Sequence, residues 1–189
     1  MRRRLIEIVE QLLQQLLRPR HGTPTSPPRP PKSPRPTSGR PPGDGGRPAP
    51  DGARPASIDI EADGVKVAYR PERDGDPDPG EVVWTWVPYE DDPTQGKDRP
   101  VLIVGHHDRR GGDRHLVGVA LTSKQHDHEP QVSVGTGSWD REGRPSYAKL
   151  ERLLSVDPHQ VRREGAILER RRFDDVIAGL ERLHGPLGR

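Results

Sequence analysis

Thirteen prolines fall between residues 19 and 57, together with seven Lys or Arg side chains and several glycines and serines. Proline fixes φ and carries no backbone N–H, so a tract this dense in it forms neither a helix nor a central strand. The tract also lacks the apolar groups that would offset an ordering cost of about 1–2 kcal/mol per residue for backbone alone. Residues 19–57 are therefore expected to be a disordered Pro/Gly/Arg-rich linker, extended and solvated. Spacings of the P-x-x-P kind, such as Pro28 to Pro31, arise there from composition alone.

Any packed structure must be built on either side of this arm. Residues 1–18 hold Leu5, Val9, Leu12 and Leu16 at helical spacing after Arg2, Arg3 and Arg4, which reads as a short amphipathic helix. Such a helix docks on its own domain or on a second copy, or it meets a partner groove or an anionic membrane surface. Glu7, Glu10 and several glutamines interrupt its apolar residues, so a secretory signal is not expected. Nowhere does the chain approach the roughly 20 apolar residues of a transmembrane helix. Cysteine is absent, which excludes a disulfide framework and a thiolate zinc site and fits a cytoplasmic location.

The formal net charge of +2 conceals a partition. Residues 1–56 carry 11 basic and 4 acidic side chains, whereas residues 57–98 carry 4 basic and 12 acidic. The high isoelectric point thus belongs to the arm and is not a sign of a basic folded surface. Residues 58–79 read as a hairpin, with a turn at Asp63-Gly64, followed by an acidic loop. That loop matches no calcium-binding spacing.

From residue 80 the pattern turns strand-rich. Strands are expected at 81–87, 100–105, 115–123, 131–136 and 147–156, with a polar loop at 88–98 and a helix near 170–183. The near-continuous apolar run Pro100-Val101-Leu102-Ile103-Val104 marks a buried strand. Short strands at this spacing predict a mainly β chain closing into a small barrel with a C-terminal helix. Trp84 and Trp86 share one strand face, and Trp84 is the expected core residue; Trp139 is open between core and base stacking.

The segment Gly96-Lys97-Asp98-Arg99-Pro100-Val101-Leu102-Ile103-Val104 and the segment Leu121-Thr122-Ser123-Lys124 carry the chemistry. Gly80-Glu81-Val82-Val83-Trp84 precedes them, and Ser146-Tyr147, Ser155-Val156-Asp157, Arg163-Glu164-Gly165 and Leu168 follow. In this order they resemble the PemK/MazF toxin family over residues 80–184, about 105 residues, here with an N-terminal extension. The resemblance implies an SH3-like barrel with a C-terminal helix, usually a homodimer. It also implies metal-independent cleavage of single-stranded RNA at a short motif, no cofactor, and a cognate antitoxin. By the same resemblance Arg99 and Thr122 are the catalytic pair.

The chemistry of these side chains agrees with that assignment. When the adjacent 2′-hydroxyl attacks a phosphodiester, negative charge gathers on the phosphoryl oxygens. An arginine fork pairs with two such oxygens and stays charged. Thr122 ends a strand, where its hydroxyl can orient phosphate or nucleophile. Ser123, Lys124 and Lys97 are candidate substrate contacts. His106, His107, His115, His126 and His128 fall in the same region, and none is assigned a role. The acidic segment before the barrel repels RNA, so a second reading is a non-catalytic RNA- or protein-binding module on the same barrel.

Overall fold

A computed structural model of the chain describes residues 47–48, 56–57, 64–108, 114–161 and 163–189. The helix expected within residues 1–18, the first strand of the expected hairpin with Asp63 of its turn, and most of the linker lie outside the described residues. Two short pieces of the expected linker are described: β1 (Arg47–Pro48) pairs with Gly96 and Gln95, and β2 (Ala56–Ser57) pairs with Ser155 and Leu154.

The remaining strands are β3 (Lys66–Val67), β4 (Glu81–Pro88), β5 (Gln95–Asp108), β6 (Arg114–Thr122), β7 (Gln131–Gly135), β8 (Ser146–Val156) and β9 (Arg163–Ile167). They form one antiparallel sheet in the order β2-β8-β6-β5-β4-β9, with β1 and β3 also on β5 and β7 also on β8. The fold is mainly β, a curled half-barrel sheet, with α1 (Arg170–His184) as the α-helix among the described residues.

The apolar run in β5 explains the layering. Side chains alternate along a strand, so Leu102 and Val104 enter one core while Val101 and Ile103 enter another, all four fully buried. The larger core collects Val117, Val119 and Leu121 from β6, Ala148 and Leu150 from β8, and one face of α1. That face is Phe173, Val176, Ile177 and Leu180, spaced as a helix requires. The smaller core joins Val83 and Val87 of β4 to Leu116, Leu154 and Val156. A strand apolar on both faces is thus buried on both.

The helix begins against its dipole, with Arg170, Arg171 and Arg172 in the first turn and no side-chain cap. Two ion pairs offset this: Arg170 to Asp174 at 2.9 Å and Arg172 to Glu169 at 3.5 Å. Arg170 also lies over the Tyr69 ring, 5.1 Å from its centroid. That ring meets Phe173 edge-on at 5.0 Å, and the Tyr69 hydroxyl donates to the Leu168 carbonyl at 2.8 Å. The segment that leads into the acidic loop is thereby tied to the helix start. Gly179 lets the helix approach the sheet, because a Cβ there would stand 2.7 Å from a Leu150 methyl.

Two expectations shift. Gly96 lies inside the β4–β5 ladder, opposite Pro88, and the connecting loop shrinks to Tyr89–Thr94. A Cβ at Gly96 would stand 2.3 Å from the Val87 carbonyl, so glycine serves a close strand approach there. The Trp86 ring packs over the same bare position, which is why Trp86 is buried at 2% exposure while Trp84, the expected core residue, is only half-buried. Trp139 settles as core, its indole N–H donating to Ser146 Oγ at 3.0 Å.

Candidate functional site

Arg99 sits on β5 opposite Thr85 of β4. Two residues further along, Val101 pairs with Ala120 of β6. Continuing two residues outward on each strand reaches Arg99 and Thr122, so both belong to the same side of the sheet as Val101 and Ala120. Buried Leu102 and Val104 on the opposite face hold this stretch of β5 in place. Lys97, two residues before Arg99 and opposite Val87, shares that side.

Thr122 is the last residue of β6 and pairs with Tyr147 of β8. Its Oγ1 accepts the Lys124 backbone N–H at 3.1 Å, which fixes the hydroxyl oxygen and leaves its proton for another acceptor. Ser123 and Lys124 are exposed in the turn that follows.

Beside Arg99 opens a cleft of about 220 Å³ between the Tyr89–Thr94 loop and strands β5, β6 and β8. Val87, Pro88, Ala120 and Leu154 are its apolar lining. Lys149, Glu151 and Arg152 of β8 and Tyr89, Glu90 and Asp91 of the loop add the polar lining. Thr122, Ser123, Lys124 and Lys97 stand outside that lining. Sequence reasoning missed the β8 residues. Lys149 and Glu151 alternate with buried Ala148 and Leu150, a period-two signal for a charged outer face. Nothing local said that this face adjoins Arg99.

The Lys149 ammonium is the electrostatic centre of the cleft wall. It lies 3.3 Å from Glu129, and 3.9 Å from each of Glu90 and Glu151. Burial by itself pushes the Glu129 carboxyl up, but the Lys149 hydrogen bond and charge, with His126 and Gln131, bring it below the ordinary 4.5. A depressed folded-state value contributes stability above the ordinary value that is lost as pH falls through the depressed one. Lys149→Met is therefore expected to flatten the acid limb of the stability–pH curve below about pH 4.5, read by urea unfolding across that range. An unchanged acid limb would refute the coupling. Asp78, in the acidic loop, moves the other way: desolvation raises it, and Asp74, Glu72 and Asp76 add to the rise.

The histidines divide. His107 is buried, its Nε2 3.0 Å from Ser155 Oγ, and the same hydroxyl lies 3.3 Å from His115 Nδ1. These three tie β5, β6 and β8 together away from the cleft lining. His126 is exposed beside Glu129 at 3.9 Å. Among the described residues no helix is long and apolar enough to cross a membrane.

The described residues form a curled antiparallel half-barrel sheet with one C-terminal helix. The family model for PemK-like, MazF-like toxins of type II toxin-antitoxin systems matches residues 78–184, and the chain belongs to that family. No curated protein matches the chain. Membership implies toxin-type endoribonuclease activity, with RNA as substrate and an antitoxin as partner.

Proposed function

We propose that the protein cleaves single-stranded RNA at a short sequence motif, without a metal ion, through attack of the ribose 2′-hydroxyl on the adjacent phosphorus. The observation that carries this reading is the position of Arg99: half-buried on β5, two residues before fully buried Val101, on the same side as Thr122. Arg99 pairs with the non-bridging oxygens as charge develops, and a fixed cation aimed at developing charge is the largest single catalytic term in such sites. The Thr122 hydroxyl, held by the Lys124 amide, orients the phosphate or the nucleophile. The new bond is 2′-O to phosphorus and the broken bond is phosphorus to 5′-O. The 2′ proton is lost, one proton reaches the leaving 5′ oxygen, and the ends are a 2′,3′-cyclic phosphate and a 5′-hydroxyl. Lys97, Ser123 and Lys124 contact flanking phosphates. The same proposal includes a homodimer, a cognate antitoxin that covers this surface, and a cytoplasmic site of action.

The non-catalytic reading, in which the barrel binds RNA or a protein without cutting, is favoured by one observation: three carboxylates share the cleft with its three cations. The two readings separate when the full chain meets one labelled RNA in two forms, single-stranded and fully paired. Cleavage of the first and sparing of the second supports the nuclease. Retention of the single strand by the protein with no cleavage supports the binding module.

A further inference from the structure

Phosphate recognition does not explain the lining of the cleft beside Arg99. Apart from Arg99, its cations Lys149 and Arg152 share the lining with Glu90, Asp91 and Glu151, so beyond the one phosphate that Arg99 pairs with, a backbone anion gains little from it. At about 220 Å³ the cleft is smaller than pockets for drug-sized ligands. It has room for one planar group, with Tyr89 available as a stacking surface.

The groups are also held. Asp92 accepts the Thr94 amide and the Gln95 side-chain N–H, both at 3.0 Å, and so shapes the loop that carries Glu90. Arg152 Nη1 donates to the Pro88 carbonyl at 3.0 Å and pins the loop's start to β8. Lys149 and Glu151, two residues apart, share a face of that strand. Glu129 steadies Lys149 from outside the cleft lining, at 3.3 Å.

We propose that this cleft takes one nucleobase of the bound RNA and selects guanine. Its ligand class rests on the reading of the protein as acting on single-stranded RNA, whose bases are read on their exposed Watson–Crick edges. Guanine presents there two neighbouring donors, N1–H and N2–H₂, beside the acceptor O6. A carboxylate accepts two parallel N–H groups, and an adjacent ammonium donates to O6. The cleft supplies that row: Lys149 Nζ stands 3.9 Å from the carboxylates of Glu90 and Glu151. Uracil offers a single donor between two carbonyls. Adenine and cytosine offer one amino group beside a ring acceptor. Each of these three can give one N–H to the carboxylate and one acceptor to the ammonium, and guanine alone fills both carboxylate oxygens as well as the ammonium.

The test is titration of the full chain with the mononucleotides GMP, IMP, AMP, CMP and UMP, followed by calorimetry or by amide shifts of β8. Inosine keeps N1–H and O6 but lacks the 2-amino group. GMP is expected to bind on the order of tenfold more tightly than IMP or UMP. The Glu90→Gln, Glu151→Gln double variant, shown folded by its melting curve, should lose that margin. Equal affinity for GMP, IMP and UMP in the wild type would overturn the proposal, as would a margin unchanged in the folded double variant. If GMP is preferred and no RNA is cut, the base site stands and the nuclease reading fails. If RNA is cut and the mononucleotides bind alike, the reverse holds.

Discussion

Arg99→Ala is expected to lower the cleavage rate at saturating RNA by about 10²–10³-fold, the usual loss when one preorganised charge-stabilising donor is removed. The fold should survive, because Arg99 is only half-buried and the core contribution of this strand comes from Val101 to Val104. Its melting temperature should stay within a few degrees of wild type, since surface substitutions mostly fall within about 0.5 kcal/mol. Arg99→Lys should recover little activity, since an ammonium is a point charge and cannot make the planar two-point contact. RNA binding must be measured apart from cleavage, because Arg99 also lines the cleft. Wild-type turnover by Arg99→Ala would remove it from the mechanism.

Phe173→Ala should have the largest effect on stability. Phe173 is 2% exposed, sits in the first turn of α1 and meets the Tyr69 ring at 5.0 Å. Truncating a buried phenylalanine costs about 3–5 kcal/mol through lost transfer energy and the cavity left behind. For a folded unit near 100 residues each kcal/mol lowers the melting temperature by roughly 4–8 °C. The loss should propagate, because Tyr69 also holds the Leu168 carbonyl and carries Arg170 on its face. Chemical denaturation reads this directly. A change below about 1 kcal/mol would mean that the helix start collapses to fill the space.

The sequence disclosed the fold where patterns were strictly periodic. Val101 to Val104, apolar without interruption, read as a buried strand, and that strand divides between two cores. The helix face of Phe173, Val176, Ile177 and Leu180 was equally plain. Gly96 was misplaced because a glycine in a polar stretch signals a turn, whereas here it admits the Val87 carbonyl and the Trp86 ring. The same close approach, invisible along the chain, decided that Trp86 and not Trp84 is buried.

The candidate site was legible only in part, for a related reason. Arg99 and Thr122 each border a buried strand, and the antiparallel register of β5 and β6 puts them on one side. Lys149 and Glu151 lie on β8 between Ala148 and Leu153, where its register against β6 is irregular. Such an irregularity has no local signature. Nor does the loop carrying Glu90, whose position depends on a hydrogen bond from Arg152, 64 residues away.

The nuclease reading is tested most directly by the chemistry of the cut ends. Full-length protein is incubated with a long single-stranded RNA in excess EDTA, and the new termini are characterised. The expected result is cleavage undiminished by EDTA, leaving 2′,3′-cyclic phosphate and 5′-hydroxyl ends. Cleavage abolished by EDTA, restored by magnesium and leaving 5′-phosphate ends would contradict it.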